Sequence, residues 1–262
     1  MSTQRNPGTG GPVELPGLVE PRWKYPRTPH LPTSPGWTSD DVRAGHDTEL
    51  RPGLEIVLTE KLDGECTTIY RDGMHARSVN SGYHPSRDRA LALTGELSAL
   101  LPPGMRINGE NVYARHSVTY TELPGYLCVF GIWIGPRCLS WDETEEWCGL
   151  LGLPTVPVVW RGPMPADLGV LEAHWRDRCG GEERSEGFVV RDAAAFTRDQ
   201  FSDRVAKWVR RGHVQTGNHW MHTQVVPNAL ATAGPETPGS PEAPGSPETP
   251  GSPEQENASG AR

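Results

Sequence analysis

The sequence predicts an α+β fold built mainly on antiparallel sheets with flanking helices. Three observations lead there. Segments of strand character outnumber segments of helical character. Two of the strand-like runs are joined by Arg71-Asp72-Gly73, and Asp-Gly is a strong hairpin signal. The 26 prolines and 30 glycines of the 262 residues concentrate toward the ends of the chain. Setting those ends aside leaves a body of roughly 200 residues, enough for one sizeable core.

Each element follows in order. Residues 54 to 60 (LEIVLTE) are rich in β-branched and apolar side chains and predict a strand. CTTIY at 66 to 70 predicts a second, and MHARSVN at 74 to 80 is its return strand across the Asp-Gly turn. Residues 87 to 101 predict a helix that Pro102-Pro103-Gly104 ends. Strand character returns at 105 to 113 and at 126 to 134. Residues 141 to 151 predict a helix with Ser140 as its N-cap. TVPVVW (155 to 160) reads as a strand, 165 to 178 as a helix, and 186 to 192 and 204 to 214 as strands.

The ends predict different behaviour. From Gly234 to Glu254 a PE[TA]PGS hexapeptide recurs, with no large apolar side chain to offset the entropy of ordering. Residues 230–262 are therefore expected to form a disordered acidic tail, and 1–18 a disordered N-terminus. Residues 19–45 carry five prolines among Trp23, Tyr25, Trp37 and several basic groups, and read as an extended arm or a simple linker. The domain proper is expected at 46–229.

The net charge of -8 divides evenly, half in the tail and half in the body. That argues against holding nucleic acid by bulk charge, though not against a local basic groove. There is no run of 18 apolar residues and no secretory leader pattern, so a soluble cytoplasmic protein with no membrane partner is expected. Five cysteines (66, 128, 138, 148, 179) include no CxxC pair and read as reduced thiols filling the core. The histidines, HxxH at 219 to 222 included, do not make a convincing zinc site.

The sharpest local feature is Glu60-Lys61-Leu62-Asp63-Gly64-Glu65. A lysine at the end of a buried strand is a nucleophile only when neutral. Reactivity near pH 7 needs a fall of roughly three pKa units, about 4 kcal/mol. The neighbouring carboxylates act against that fall, so something positive must offset them, and a carboxylate-held divalent cation would. An exposed strand end with ordinary ion pairing is the plainer reading of these six residues.

The rest of the chain favours the chemical reading. EKLDGE is followed by HARS (75–78), GENVYARHSVTY (109–120), VFGIWIG (129–135), EGFVVRD (186–192) and VAKWVRR (205–211). In this order and spacing the six resemble the motifs of covalent nucleotidyltransferases, and most closely those of the ATP-dependent RNA ligase family. The resemblance covers about residues 55 to 220. It implies a nucleotidyltransferase catalytic domain, with no OB-fold domain expected because few foldable residues follow the last motif. It implies that Lys61 becomes linked to AMP, that Arg77 and Lys207 contact phosphate, and that Phe130 stacks on adenine. Glu110 and Glu186 match metal-site carboxylates, and Glu60 adjoins the nucleotide. The implied cofactors are ATP and Mg2+, with Mn2+ as an alternative. The implied partners are RNA ends, in nicked duplexes or single strands, and an accessory protein.

The residues make sense on their own terms as well. Glycine at 109 would let backbone approach a ligand, and a hard cation takes one or two carboxylates plus phosphate oxygens. Phe130 in an apolar strand is either a stacking platform or core packing, with Trp133 as the other stacking candidate. Lys207 among Val205, Ala206, Trp208 and Val209 must be paired with a phosphate or a protein carboxylate. In the last motif the family's usual second lysine is replaced by Val209, and Arg210 is its candidate substitute.

Overall fold

The structure is a computed structural model that describes residues 21–45, 48, 50–212 and 224–231, all within one compact unit, Met1–Ala231. The expected disordered N-terminus, nearly all of the repeat tail, and the HxxH at 219–222 lie outside the described residues.

Two antiparallel sheets carry the fold. The first has the order β10 (Val205–Val209), β8 (Gly187–Asp192), β1 (Glu55–Lys61), β7 (Val158–Pro163). The second runs β3 (Gly73–Ala76), β2 (Glu65–Tyr70), β4 (Met105–Asn111), β5 (Leu127–Ile134), β6 (Arg137–Cys138), β9 (Phe196–Thr197). Every pairing within them is antiparallel. The hairpin at Arg71-Asp72 is present, joining β2 to β3 with Tyr70 opposite Gly73.

Strand alternation sorts the side chains. Ile56 and Leu58 of β1 enter one core with Leu171 and Trp175 of α3 (Gly169–Cys179). Met105 and Ile107 of β4 enter another with Leu97 of α1 (Asp88–Leu97) and Cys148 of α2 (Trp141–Leu151). Helices thus cover the outer face of each sheet. The inner faces meet through a third cluster that joins Val57 to Val112 and Cys128. A fourth combines Trp133, Phe196, Phe201 of α4 (Phe201–Arg204) and Val205.

Ser140 caps α2 with a full capping box through Glu143, as its sequence predicts. Other boundaries moved. The return strand stops at Ala76, β7 begins at Val158, and α3 begins at Gly169. The two-residue strands β6 and β9 are too short to leave a periodic signal.

The proline-rich segment is no loose linker. Leu31 N–H donates to the Lys207 carbonyl and Lys207 N–H to the Pro29 carbonyl, so the arm lies along the edge of β10. Val209 N–H donates to Ser34 Oγ at 2.9 Å, and Arg22 pairs with Asp72 at 2.7 Å on the other sheet. Proline's missing N–H suits an edge position, where one side of the strand needs no donor.

Candidate active site

β1 ends in the first sheet and β2 begins in the second, so residues 62–64 cross between them. That crossing opens a cavity of about 570 Å3 between the inner faces. The first sheet contributes Thr59, Lys61, Val189, Arg191, Val205 and Lys207, and the second Glu65, Cys66, Glu110, Phe130 and Cys138.

Lys61 and Gly187 are paired in register, which sets Glu186 beside the lysine at the mouth of β8. Lys61 Nζ donates to Glu186 Oε2 at 2.5 Å, and Glu186 is almost fully buried. Burial favours neutral Lys61, but Glu186, Glu110 and Asp63 outweigh it and hold its pKa above the ordinary value. These carboxylates favour its ammonium form. The Gly64 N–H donates to Glu110 Oε1 at 3.2 Å. Burial, with repulsion from Glu186 and Asp63, pushes Glu110 from its ordinary 4.5 up to about 8.

That shift has a sign. A raised acid pKa means the folded state keeps a proton that the unfolded chain releases. The associated stability is complete below about pH 4.5 and is lost as pH rises through 8. Glu110→Gln cannot lose that proton. Urea unfolding in EDTA is therefore expected to show the wild type losing about 3 kcal/mol relative to Glu110→Gln between pH 5 and 8. Parallel profiles would contradict this.

Asp63 is buried and works structurally. Its Oδ2 accepts from Ser117 N–H (2.8 Å), Ser117 Oγ (2.6 Å) and Val118 N–H (3.0 Å), while its own N–H donates to Tyr120 Oη at 2.8 Å. The HSVTY extension after β4 is therefore the cradle of the turn that follows Lys61. Asn228 braces the cradle in turn, its Oδ1 accepting from Tyr120 N–H and its Nδ2 donating to the Val112 carbonyl. Asp63→Ala strands buried N–H groups and is expected to cost about 3 kcal/mol in urea unfolding. Asp63→Asn, which keeps an acceptor, should recover roughly half of that.

The other expected residues separate into groups. Phe130 is half-buried on the cavity wall, with its ring 5.0 Å from Tyr25 in an edge contact. Arg77 is exposed at the cavity and makes no hydrogen bond with a described residue. Lys207 is largely buried, and its Nζ lies 3.5 Å from Asp41 Oδ1. Its pKa is lowered, first by burial and then by Lys61. Glu60 borders the cavity, yet its carboxyl lies next to Ser185 and Cys179, and burial raises its pKa. Ser185 accepts from Trp175 Nε1 of α3, so Glu60 reaches toward the outer face of the sheet while Lys61 faces inward.

Three expectations need correction. Trp133 is core, 1% exposed, and packed on Phe196 and Phe201. A Cβ at Gly109 would stand 3.0 Å from the Cys128 carbonyl oxygen, so the close approach its missing side chain permits is to β5. Arg210 does not line the cavity, and its buried Nε has no hydrogen-bond partner among the described residues.

The sequence reading missed several wall residues. Tyr25, Arg27, Thr28, Thr38, Asp41 and Val42 come from the arm. Arg191 ties the sheets together by donating to the Leu139 carbonyl at 2.9 Å and the Phe130 carbonyl at 3.4 Å. All five cysteines are free thiols, and burial pushes Cys66 beside the cavity up to about 12, so it is no rival nucleophile.

The model of one protein family, described as RNA ligase, matches residues 54–209. No curated protein matches the chain. Among solved structures, a variant of the Naegleria gruberi RNA ligase with ATP and Mn is similar at 16% identity and a TM-score of 0.42 over 61% of this chain. An archaeal ATP-dependent RNA ligase is similar at 18% and 0.45 over 66%, and a putative ATP-dependent DNA ligase from Aquifex aeolicus at 20% and 0.45 over 72%. The chain spans 50% of the length of each of these three.

Proposed function

Because the chain belongs to the RNA ligase family, we propose that it is an ATP-dependent RNA ligase working through a lysyl-AMP intermediate on Lys61. The observation that carries this reading is the convergence of Lys61, Glu110, Glu186 and Lys207 on one cavity, from four separate strands or strand mouths.

In the proposed sequence, neutral Lys61 Nζ forms a bond to the α-phosphorus of ATP. The bond between that phosphorus and the bridging oxygen breaks, and pyrophosphate leaves with the electron pair. AMP then passes from Lys61 to the 5′-phosphate of an RNA strand. A 3′-hydroxyl attacks that phosphate, loses its proton, and displaces AMP. Lys207 and Arg77 neutralise phosphate charge, Phe130 offers its face to the purine, and Glu186 holds the Lys61 side chain in place.

Glu110 and Glu186 fit a hard divalent cation. They are two buried, mutually repelling carboxylates, and burial with that repulsion raises the Glu110 pKa even with the Lys61 ammonium beside them. No cluster of three candidate ligands exists among the described residues, which suits Mg2+ or Mn2+ completed by water and phosphate oxygens. Bound there, the cation would offset the charge that keeps Lys61 protonated.

RNA ends are the proposed partners, with an accessory protein to help engage them, since the body carries no large excess of positive charge. No helix among the described residues is long and apolar enough to cross a membrane. The free thiols suit a reducing cytoplasm.

The test is incubation of the full chain with α-labelled ATP and Mg2+, followed by a panel of nicked RNA, RNA–DNA hybrids and single strands. Covalent label and sealed RNA are expected. Absence of label with ATP, GTP and NAD alike would sink the reading.

A further inference from the structure

The arm lies outside the span matched by the family model, yet it supplies one wall of the cavity. Its most pointed contribution is at Lys207. The backbone bonds from Pro29 and Leu31 hold His30 in register with Lys207. A turn then brings Asp41 back: its N–H donates to the Thr38 carbonyl, and its Oδ2 accepts from Thr38 N–H and Oγ1, both at 3.0 Å. The remaining oxygen, Oδ1, stands 3.5 Å from Lys207 Nζ and 3.4 Å from His30 Nε2.

Both distances are long for charge-assisted hydrogen bonds, which close to about 2.7–2.9 Å. His30 is 1% exposed, and among the described residues its Nε2 has no well-aligned hydrogen bond, Asp41 Oδ1 being the carboxylate oxygen it faces. A buried ammonium and a buried imidazole nitrogen therefore converge on one carboxylate oxygen without closing on it. Thr38 holds the other oxygen of Asp41 back from the pair.

We propose that Asp41 is a placeholder for the anion that Lys207 binds, a specificity-determining carboxylate that balances the lysine and competes with an incoming polyphosphate. The proposal rests on the reading of the cavity as a nucleotide site. The reasoning is one of linkage. Removing Asp41's charge leaves the buried Lys207 with only the more distant Glu186 to offset it, and the loss is greatest when no anion is present. The empty state rises in energy more than the occupied one, so anion binding tightens.

The experiment titrates inorganic pyrophosphate into full-length wild type, Asp41→Asn, Asp41→Glu and Thr38→Val by calorimetry at two salt concentrations. Asp41→Asn is expected to bind three- to tenfold tighter, with a steeper salt dependence, and Asp41→Glu to stay near wild type. Thr38→Val, which removes one of the two bonds holding Asp41 back from Lys207, lets the carboxylate close on the lysine and is expected to bind about twofold weaker; it carries the test if Asp41→Asn does not fold. Unchanged or weaker binding in Asp41→Asn, or unchanged or tighter binding in Thr38→Val when that variant carries the test, overturns the placeholder role. So does absence of binding in every form. Labelling of Lys61 from ATP is read separately. Label with unchanged pyrophosphate affinity removes only the placeholder, whereas tighter pyrophosphate binding without label removes only the ligase reading.

Discussion

Lys61→Ala takes up no covalent nucleotide under conditions where the wild type is labelled, a fall of at least about a thousandfold. Lys61→Arg is expected to behave the same way, because a guanidinium stays charged. The loss follows from the position of Nζ. It is the primary amine on the inner face of β1, it stands 2.5 Å from Glu186, and the neighbouring thiol of Cys66 is held protonated by burial. The ammonium must give up its proton before it can attack. The carboxylates around it raise that barrier until a cation or a phosphate-bound cation draws them off. Labelling should therefore depend steeply on divalent metal in the wild type and stay at background in both variants at any metal concentration. Gel autoradiography after acid quench reads this directly. A labelled Lys61→Ala would move the nucleophile elsewhere and dismantle the proposed function.

Gly187→Ala is expected to destabilise the fold by about 3 kcal/mol or more, and to abolish labelling in whatever fraction still folds. The backbone at Gly187 has φ +154°, and a Cβ there would lie 2.0 Å from the Trp208 carbonyl oxygen. β8 is flanked on both sides, by β1 and by β10, so the strand cannot slide away to relieve the clash. The same residue pairs with Lys61 and with Val209. Strain at this point shifts Glu186, the next residue, off the lysine it holds. Urea unfolding gives the stability, and labelling per folded molecule gives the site effect. A shift in urea midpoint worth less than about 1 kcal/mol would show that β10 yields more easily than its packing implies.

These two expectations use residues that stand within short motifs, and such residues were the legible part of the site. Lys61, Glu110, Glu186 and Lys207 each sit beside a glycine or within an apolar strand, a local pattern that survives in one dimension. The hairpin at Asp72-Gly73 and the capping box at Ser140 are equally local, since a few neighbouring atoms decide them. The orientation of Glu60 was also available in principle. Adjacent residues on a strand face opposite sides, so Glu60 and Lys61 cannot both present their side chains to the same inner face.

The arm was not legible, and the reason is physical. Five prolines erase helical and strand periodicity, and the arm's hydrogen bonds reach far along the chain, as from Ser34 to Val209. Nothing near Asp41 in sequence says that it will meet Lys207. The same holds for Asp63, which reads in sequence only as an anion beside Lys61 while its Oδ2 accepts from the backbone at 117 and 118.

The sequence by itself determined the sheet-forming segments, the family and the residues with chemistry to offer, because side-chain periodicity and short motifs are properties of neighbours. Tertiary structure alone decided which of them share a cavity, which carboxylate faces the lysine, and that a proline-rich arm closes one side. Those outcomes depend on sheet register and edge pairing between segments 50 to 175 residues apart. Their free energy comes from joint burial of the inner faces, a quantity that no single stretch of chain contains.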